Sequence, residues 1–543
     1  APPPEPPRRI VVVSFDGAGG LDFVRHREAL SPDGFVRAER EGVSAERLQT
    51  VTPSLTAVAH ASISTGALPQ ATGIVSNTYW PAGGPLKARV DGFEAEPAVE
   101  TLWEALARQG HRVAALSWPG VSGASTRSST PVGLRWAPLR SRGFVWRGPE
   151  EGAVLPDAAI ALPPEVRSYS PPRLVRIEPP RGRDGAMPRP LLFVVVDTRD
   201  DGRREYDGLA ALDEDGELEG RLRPGDWLAL SEKTDGVARR GRWIKLLRLS
   251  PDASRVELYV GGIGQTEAWP DDFQKTLDRR CGFWPGPPDE ALLSGPEPDV
   301  RSFLEMAARF TEFFTAAYEV AERRGDWDVL LGYQPVLDEV GHSLTPPDPG
   351  TAGFDAARAE RAEAAMTEAW RIADRAAARY LRFREFGGDV LFLSDHGQRP
   401  VRRVVHPAEL LRRQGWITTD SLAGRPVVRP DSPADVAVSG GTALVVLNRA
   451  GEMPGGVLSP DEGAGVLADV ASYLRDLKDE TGAPLFETVA LRGEAATLGL
   501  DHPNVGDLLL LAGKGTALRG GFPKLGADAP VLLPAEVSLW ELR

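Results

Sequence analysis

Short apolar runs that alternate with longer amphipathic segments are the feature that most constrains the fold of this 543-residue chain. Residues 10–15 (IVVVSF) form a continuous apolar run that ends in Asp-Gly, which predicts a strand followed by a turn. Residues 302–323 carry apolar side chains at helical spacing and lead into a second apolar run at 327–334. This alternation favours an α/β fold with a mostly parallel sheet covered by helices.

The pattern changes between residues 139 and 285, where Gly and Asp turns separate short strand-like segments. We therefore predict residues 1–138 as the first part of the α/β core, 139–285 as a β-rich insertion and 286–543 as the second part of the core. The remaining core elements are predicted as helices at 101–109 and 354–383 and strands at 113–117, 390–394 and 505–512. The strands of the insertion are predicted at 191–198, 227–230, 243–249 and 256–260.

Composition excludes several classes of protein. The formal net charge of -14 argues against binding to a nucleic-acid polymer through a basic face. No apolar run approaches the roughly 18 residues of a membrane-spanning helix, and a single cysteine, Cys281, leaves no intramolecular disulfide. The sequence begins with a Pro-rich tract and no methionine, as a secreted or periplasmic chain does after removal of a signal peptide. Secretion or a periplasmic location is therefore our expectation.

Three polar clusters follow predicted strands, at the edge where open α/β sheets bind ligands. Asp16 follows the first strand, Asp338 and His342 follow the strand at 327–334, and Asp395 and His396 follow the strand at 390–394. An aspartate at the end of a strand is often a turn or a helix cap. Three clusters with two carboxylate and imidazole pairs nevertheless favour metal ligands. Carboxylate and imidazole suit zinc, and two-metal hydrolases use such ligands to clamp an in-line displacement.

A nucleophile is suggested by the segment TPSLTAVAH at 52–60, followed by STG at 64–66 and TGIVSN at 72–77. In order and spacing these motifs resemble the nucleophile segment of the type I phosphodiesterases and nucleotide pyrophosphatases of the alkaline phosphatase superfamily. The resemblance implies an alkaline-phosphatase-like core and a nucleophile, Thr56, at the start of a helix. It implies that the amide of Asn77 donates to a nonbridging phosphate oxygen. The resemblance leaves the β-rich insertion uncovered.

The resemblance also implies two divalent metal ions, with zinc expected. One ion would be held by Asp16, Thr56, Asp395 and His396, and the other by Asp338, His342 and one further histidine. In relatives this last histidine belongs to a His-Gly segment after the late strand, but residues 518–523 of this chain read LRGGFP. His502 is the candidate substitute. Otherwise the second site is open, completed by water or weakened.

From these residues we predict a hydrolase that cleaves phosphodiester or pyrophosphate bonds of a small phosphorylated substrate, a nucleotide or another phosphodiester, through a covalent phosphothreonine. A phosphomonoesterase or phosphonate hydrolase of the same superfamily remains an alternative. The alternative from a different class is a non-catalytic relative that binds a phosphorylated ligand or a glycan surface. It is suggested by the missing His-Gly segment and by the insertion. His60, one helical turn after Thr56, is expected either to support the site or to pack in the helix. Trp80 and Trp118 are candidates for stacking on a substrate ring, against the alternative of core packing.

Overall fold

The structure is a computed structural model that describes residues 8–121, 126–150, 155–156, 162–183, 185, 187–232, 240–295, 297–422, 424–479, 481–523 and 532–534. The chain divides into two compact units, the first made of Ala1–Gly133 with Asp326–Arg543 and the second of Leu134–Gly325. Among the described residues, no helix has the length and apolar character needed to cross a membrane.

Four parallel strands form the centre of the first unit. We label them β1 (Ile10–Phe15), β2 (Val113–Leu116), β3 (Val329–Gln334) and β4 (Asp389–Leu393). Their order in the sheet is β2-β3-β1-β4, and every neighbouring pair is parallel. The carboxyl ends of all four strands therefore meet at one edge. The predicted α/β class with a mostly parallel sheet is confirmed.

The two faces of β1 differ in chemistry because successive side chains of a strand point to opposite faces. Phe15 lies in a group of edge-to-face rings, with Phe35 at 4.8 Å and Phe392 at 5.3 Å between ring centroids. Phe35 in turn contacts Trp370 on the long helix Ala356–Leu381. Ser14, the neighbour of Phe15, is fully buried and hydrogen-bonded to a histidine of another helix. One face of β1 therefore packs on aromatic rings, and the other face contacts the helix Thr56–Thr65.

The remaining helices of the first unit connect or cover its sheets. The α-helices are Gly20–His26, Phe35–Glu41, Thr56–Thr65, Pro69–Thr72, Leu102–Arg108, Val336–Leu344, Ala356–Leu381, Pro407–Arg413 and Pro460–Asp476, and the 3-10 helices are Arg27–Ala29, Arg382–Phe386, Glu494–Leu498 and Pro503–Val505. The predicted helices at 101–109 and 354–383 are both present.

The late strand predicted at 505–512 is observed as Leu508–Ala512, but it lies outside the parallel sheet. It belongs to an antiparallel sheet with the strand order Ala434–Ser439, Thr442–Leu447, Leu508–Ala512, Phe486–Leu491. Leu508 and Leu510 pack in one hydrophobic cluster and Leu509 in another, so both faces of this strand are buried. A strand buried on both faces has the continuous apolar run that parallel strands also show.

The other strands of the first unit are short and peripheral. They are Thr78–Tyr79, Val90–Asp91, Arg403–Val405, Thr419–Leu422, Arg425–Val428, Thr516–Leu518 and Leu532–Pro534. A further strand, Val132–Leu134, spans the boundary between the two units.

The second unit is built mainly from two antiparallel sheets, as expected for a β-rich insertion. One sheet contains Arg173–Ile177, Leu191–Val196, Gly208–Leu212 and Leu218–Leu222, and the other contains Phe144–Gly148, Trp227–Glu232, Arg240–Leu249, Val256–Val260 and Gly264–Gln265. A single buried cluster takes side chains from both sheets, so the sheets share one core. The unit also contains Ala268–Trp269, Asp271–Arg280, Glu290–Leu292 and Val300–Arg324. The last helix lies beyond residue 285, where the sequence predicted the insertion to end.

Candidate functional site

Asp16 occupies the first residue after β1 and is completely buried. The hydroxyl of Tyr333, near the end of the neighbouring strand β3, donates a hydrogen bond to Asp16 Oδ2. Gly17 then turns the chain with a φ of +72°, a conformation that glycine adopts without steric cost. A Cβ atom on Gly17 would lie 2.9 Å from the Cα atom of Asp338. The turn therefore brings the second polar cluster against the first.

Thr56 is the first residue of the helix Thr56–Thr65, as the resemblance implied. Its Oγ1 atom lies 3.2 Å from Nε2 of His396. Asn77 reaches the same helix end, because its Oδ1 atom accepts a hydrogen bond of 3.1 Å from the backbone N–H of Ala57. The first N–H groups of a helix have no partner within the helix. With its oxygen held there, Asn77 keeps its amide N–H groups available at the end of the helix.

Asp338 and His342 lie on the helix Val336–Leu344, directly after β3. Residues four apart share a helix face, and the distance from His342 Nε2 to Asp338 Oδ2 is 3.2 Å. The ion pair with Asp338 raises the pKa of His342 to about 9. Burial acts to raise the pKa of Asp338, but the hydrogen bond and charge of His342 outweigh it and hold that pKa below its ordinary value.

Asp395 and His396 follow β4 by two and three residues. His396 Nε2 lies 3.3 Å from Asp16 Oδ1 and 3.4 Å from Asp395 Oδ2. The loops after β1 and β4 touch through two glycines, since a Cβ atom on Gly397 would lie 2.9 Å from the Cα atom of Gly19. This close approach places the third polar cluster beside the first.

His60 is fully buried under the site. Its Nδ1 atom lies 2.9 Å from the carbonyl oxygen of Thr56 and 3.4 Å from Asp395 Oδ2, and its Nε2 atom lies 2.9 Å from the hydroxyl of Ser14. Burial lowers the pKa of His60 to about 3, so the imidazole is neutral. A neutral imidazole donates from one nitrogen and accepts at the other. Of the two expectations for His60, the structure favours support of the site.

The site has the character of a cation site. One ligand atom from each of Asp16, Asp338 and His396 lies within 4.8 Å of the others, so these three residues could hold a metal ion. Among the described residues, Asp16 Oδ1 and Asp395 Oδ2 are buried and have no hydrogen-bond partner. Burial raises the pKa of Asp16 well above its ordinary value and that of Asp395 to about 7. A buried carboxylate oxygen without a hydrogen bond is costly, and a bound cation would compensate that cost.

His502 is not one of the three residues whose ligand atoms lie within 4.8 Å of one another. It precedes the 3-10 helix Pro503–Val505, and its Nδ1 atom accepts a hydrogen bond of 3.1 Å from the backbone N–H of Asn504. Its ring lies 3.3 Å from the place that a Cβ atom on Gly73 would take. Within the described chain it makes no hydrogen bond or ion pair to the other predicted site residues. The role of His502 as the last metal ligand stays a prediction.

Trp80 and Trp118, the candidates for stacking on a substrate ring, are used in packing. Trp80 is 3% exposed, donates to the carbonyl oxygen of Leu86 and carries the guanidinium of Arg89 at 4.7 Å from its ring centroid. Trp118 is 2% exposed and donates to the hydroxyl of Ser64 at 2.9 Å. Neither indole presents a free face to a ligand.

Three residues of the site were not singled out by the sequence. They are Ser14, Tyr333 and Gln398, which contact His60, Asp16 and Asp338 respectively. Ser14 and Tyr333 could have been suspected from the sequence, because each is a polar residue near the end of an otherwise apolar strand. Nothing in the sequence singled out Gln398, since polar residues are common in the loop after a strand.

The fold and the site together define an α/β protein with a candidate metal centre beside a threonine hydroxyl at the start of a helix. The family model described as type I phosphodiesterase / nucleotide pyrophosphatase matches residues 10–169 and 264–524, which is most of the chain. The chain therefore belongs to this family, whose members hydrolyse phosphoester bonds. Residues 170–263, inside the second unit, lie outside the match.

The chain is also similar to several solved structures. Phosphonoacetate hydrolase from Sinorhizobium meliloti 1021, in complex with phosphonoformate, is 15% identical, with 95% of this chain and 84% of that chain covered and a TM-score of 0.44. Murine ectonucleotide pyrophosphatase / phosphodiesterase 5, in complex with AMP, is 11% identical, with 94% and 80% covered and a TM-score of 0.39. The human protein of the same name is 11% identical, with 97% and 83% covered and a TM-score of 0.41. A search of the curated proteins found no match.

Proposed function

We propose that this chain is a phosphohydrolase that cleaves phosphodiester or pyrophosphate bonds of a small phosphorylated substrate, such as a nucleotide, with Thr56 as the nucleophile. The observation that carries the proposal is the position of Thr56 Oγ1, at the start of a helix and 3.2 Å from His396 Nε2, among buried carboxylates. Membership of the family supports the same reaction.

The proposed enzyme depends on two divalent cations, with zinc expected. Asp16, Thr56, Asp395 and His396 would hold one of them, and Asp338, His342 and a further ligand would hold the other. When bound, such cations favour loss of the proton from a coordinated hydroxyl and offset charge on the phosphoryl oxygens.

The residues of the chain supply position and hydrogen bonds for a two-step reaction. Thr56 Oγ1 attacks phosphorus while the bond from phosphorus to the leaving-group oxygen breaks, which forms phosphothreonine and releases the first product. The hydroxyl proton passes to solvent. A water molecule then attacks phosphorus from the opposite side, and the bond to Oγ1 breaks as the threonine hydroxyl is restored. The N–H groups at the helix end and the amide of Asn77 donate to a nonbridging oxygen. His60 holds the Thr56 carbonyl and thereby the start of the helix.

The nucleophile is tested with Thr56→Ala, assayed on p-nitrophenyl phosphodiesters. We expect turnover to fall by about 10³-fold or more, because no other hydroxyl replaces Oγ1, whereas Thr56→Ser retains part of it. Thr65→Ala, at the far end of the same helix, is the matched control. A chiral phosphorothioate substrate should react with retention of configuration at phosphorus, since two inversions cancel. Inversion would refute the covalent intermediate.

The missing His-Gly segment motivates a second candidate, a non-catalytic protein that binds a phosphorylated ligand. Without His502, the second proposed ion has only Asp338 and His342 as described protein ligands. Metal analysis alongside diester, monoester and phosphonate assays separates the candidates. About two ions per chain with diester turnover supports the phosphodiesterase, and turnover of monoesters or phosphonates alone redirects the substrate class. One ion or none without turnover supports the binding protein.

A further inference from the structure

Gln398, two residues after His396, contacts Asp338 at two points. Its Nε2 atom donates to Asp338 Oδ1 at 2.7 Å and to the backbone carbonyl oxygen of Asp338 at 2.9 Å. A carboxylate and a carbonyl only accept hydrogen bonds, so the nitrogen side of the amide must face Asp338. One amide therefore fixes both the side chain and the backbone of a proposed metal ligand.

The other side of the amide lies against the helix that carries Asp338. A Cβ atom on Gly341 would lie 1.6 Å from Gln398 Oε1, so only glycine leaves room for the amide in this position. Thr345 Oγ1 lies 3.4 Å from the same oxygen. Glycine inside a helix costs about 0.5–1 kcal/mol relative to alanine. Gly341 therefore makes the helix Val336–Leu344 less stable at the position where the Gln398 amide packs against it.

The contact leaves the carboxylate of Asp338 with one orientation. Because Oδ1 is held by Gln398, Oδ2 is the atom directed to His342, at 3.2 Å. The side chain of His342 is 66% exposed and has little packing of its own to fix it. Asp338, buried and held from the β4 loop, is therefore the anchored member of the pair.

We infer that Gln398 is a positioning residue that holds Asp338 for a divalent cation, and that Gly341 is required because it admits the Gln398 amide. The inference rests on the proposed function, since it concerns the ion assigned to Asp338 and His342. Groups that orient a metal ligand typically change metal affinity by about 10- to 100-fold when removed. Gln398→Met, which keeps the length of the side chain and removes the donor, should weaken binding of one ion by this factor.

Binding is measured by titration of the metal-free full chain with cobalt(II), whose visible absorption reports the ligand geometry. We expect Gln398→Met to weaken one of the binding steps and change its absorption band, which a general loss of stability would not do. Gln414→Met is the matched control, because Gln414 is exposed at the end of another helix. Wild-type affinity and absorption in Gln398→Met would overturn the inference.

A double-mutant cycle tests the role of Gly341 independently. Gly341→Ala alone should weaken cobalt binding, because its methyl group displaces the amide of Gln398. In the background of Gln398→Ala the same change should have no further effect, since no amide is left to displace. Equal losses in both backgrounds would overturn the link between the two residues. If the wild-type chain binds no divalent ion at all, the proposed function fails together with this inference, an outcome distinct from normal binding in the variants.

Discussion

Asn77 illustrates how single residues of this site act through their partners. Its oxygen is bound to the N–H of Ala57, so the orientation of its amide is set by the helix that starts at Thr56. His60 similarly forms a hydrogen bond to the carbonyl oxygen of Thr56. Thr56, the proposed nucleophile, is therefore held at the start of its helix by Asn77 and His60.

Replacement of Asn77 by aspartate separates its two roles. Asn77→Asp keeps an acceptor for the Ala57 N–H group but removes the N–H donors and adds negative charge near the phosphoryl group. We expect kcat/KM for a phosphodiester to fall by about 10²–10³-fold, the usual loss when one such donor is removed. Thermal unfolding should stay close to that of the wild type. Full activity in Asn77→Asp would show that Asn77 is only a structural residue.

At the scale of secondary structure, the sequence predicted the four parallel strands of the core better than the strands of the insertion. The observed bounds of β1 equal the predicted ones, because its apolar run ends in an unambiguous turn. In the second unit, the strands Arg173–Ile177 and Gly208–Leu212 were not predicted. The first lies in a stretch crowded with Pro and Arg. The second, GLAAL, is buried along its whole length, so it has no alternation of polar and apolar residues to reveal a strand.

The end of the Thr56 helix gives a prediction about stability. Gly66 terminates this helix with a φ of +68°, and nothing lies within 4 Å of a Cβ atom placed on it. Gly66→Ala should therefore lower the free energy of unfolding by about 1 kcal/mol through backbone strain alone. Denaturation in urea measures the change.

The control for this prediction is Gly465, which lies inside the helix Pro460–Asp476, has no positive φ and also faces open space. Gly465→Ala should stabilise the protein by about 0.5–1 kcal/mol, because alanine is the better helix former. The same sign of change in both variants would contradict the explanation from backbone conformation.

At the scale of the whole molecule, the site is assembled from distant parts of the sequence. The motifs predicted which chain segments contribute, and Asp16, Thr56, Asp338 and His396 do come together. The sequence could not predict the contacts that hold them, because Tyr333 and Gln398 reach their partners only through the register of β3 and the approach of two loops. His502 lies beside Gly73, and its role as the last metal ligand stays a prediction.

Metal ions should stabilise the whole chain in a pH-dependent way. In the metal-free protein, burial raises the pKa of Asp16 and brings that of Asp395 to about 7. The contribution of Asp395 to folding stability is thus present below its ordinary pKa and lost as the pH rises through about 7. Metal ions bind the ionised carboxylates, so their affinity rises over the same range. We expect the increase in Tm on addition of zinc to grow from about pH 5 to about pH 8.

Differential scanning calorimetry at fixed free zinc measures this increase, and a chelator should reverse it. Asp16→Asn is the control, because it removes a member of the cluster with Asp338 and His396. Its Tm should increase less on addition of zinc than that of the wild type. An increase in Tm that is independent of pH, or equal in Asp16→Asn, would contradict the assignment of the site.

The contact between Gly19 and Gly397 limits how the site can diverge. Two loops that are far apart in the sequence meet there through their backbones, with no side chain between them. A larger residue at either position would push the loops apart and separate Asp16 from His396. We therefore expect Gly19 and Gly397 to stay glycine in related proteins. Substitutions that change substrate preference are expected in the segments around this contact.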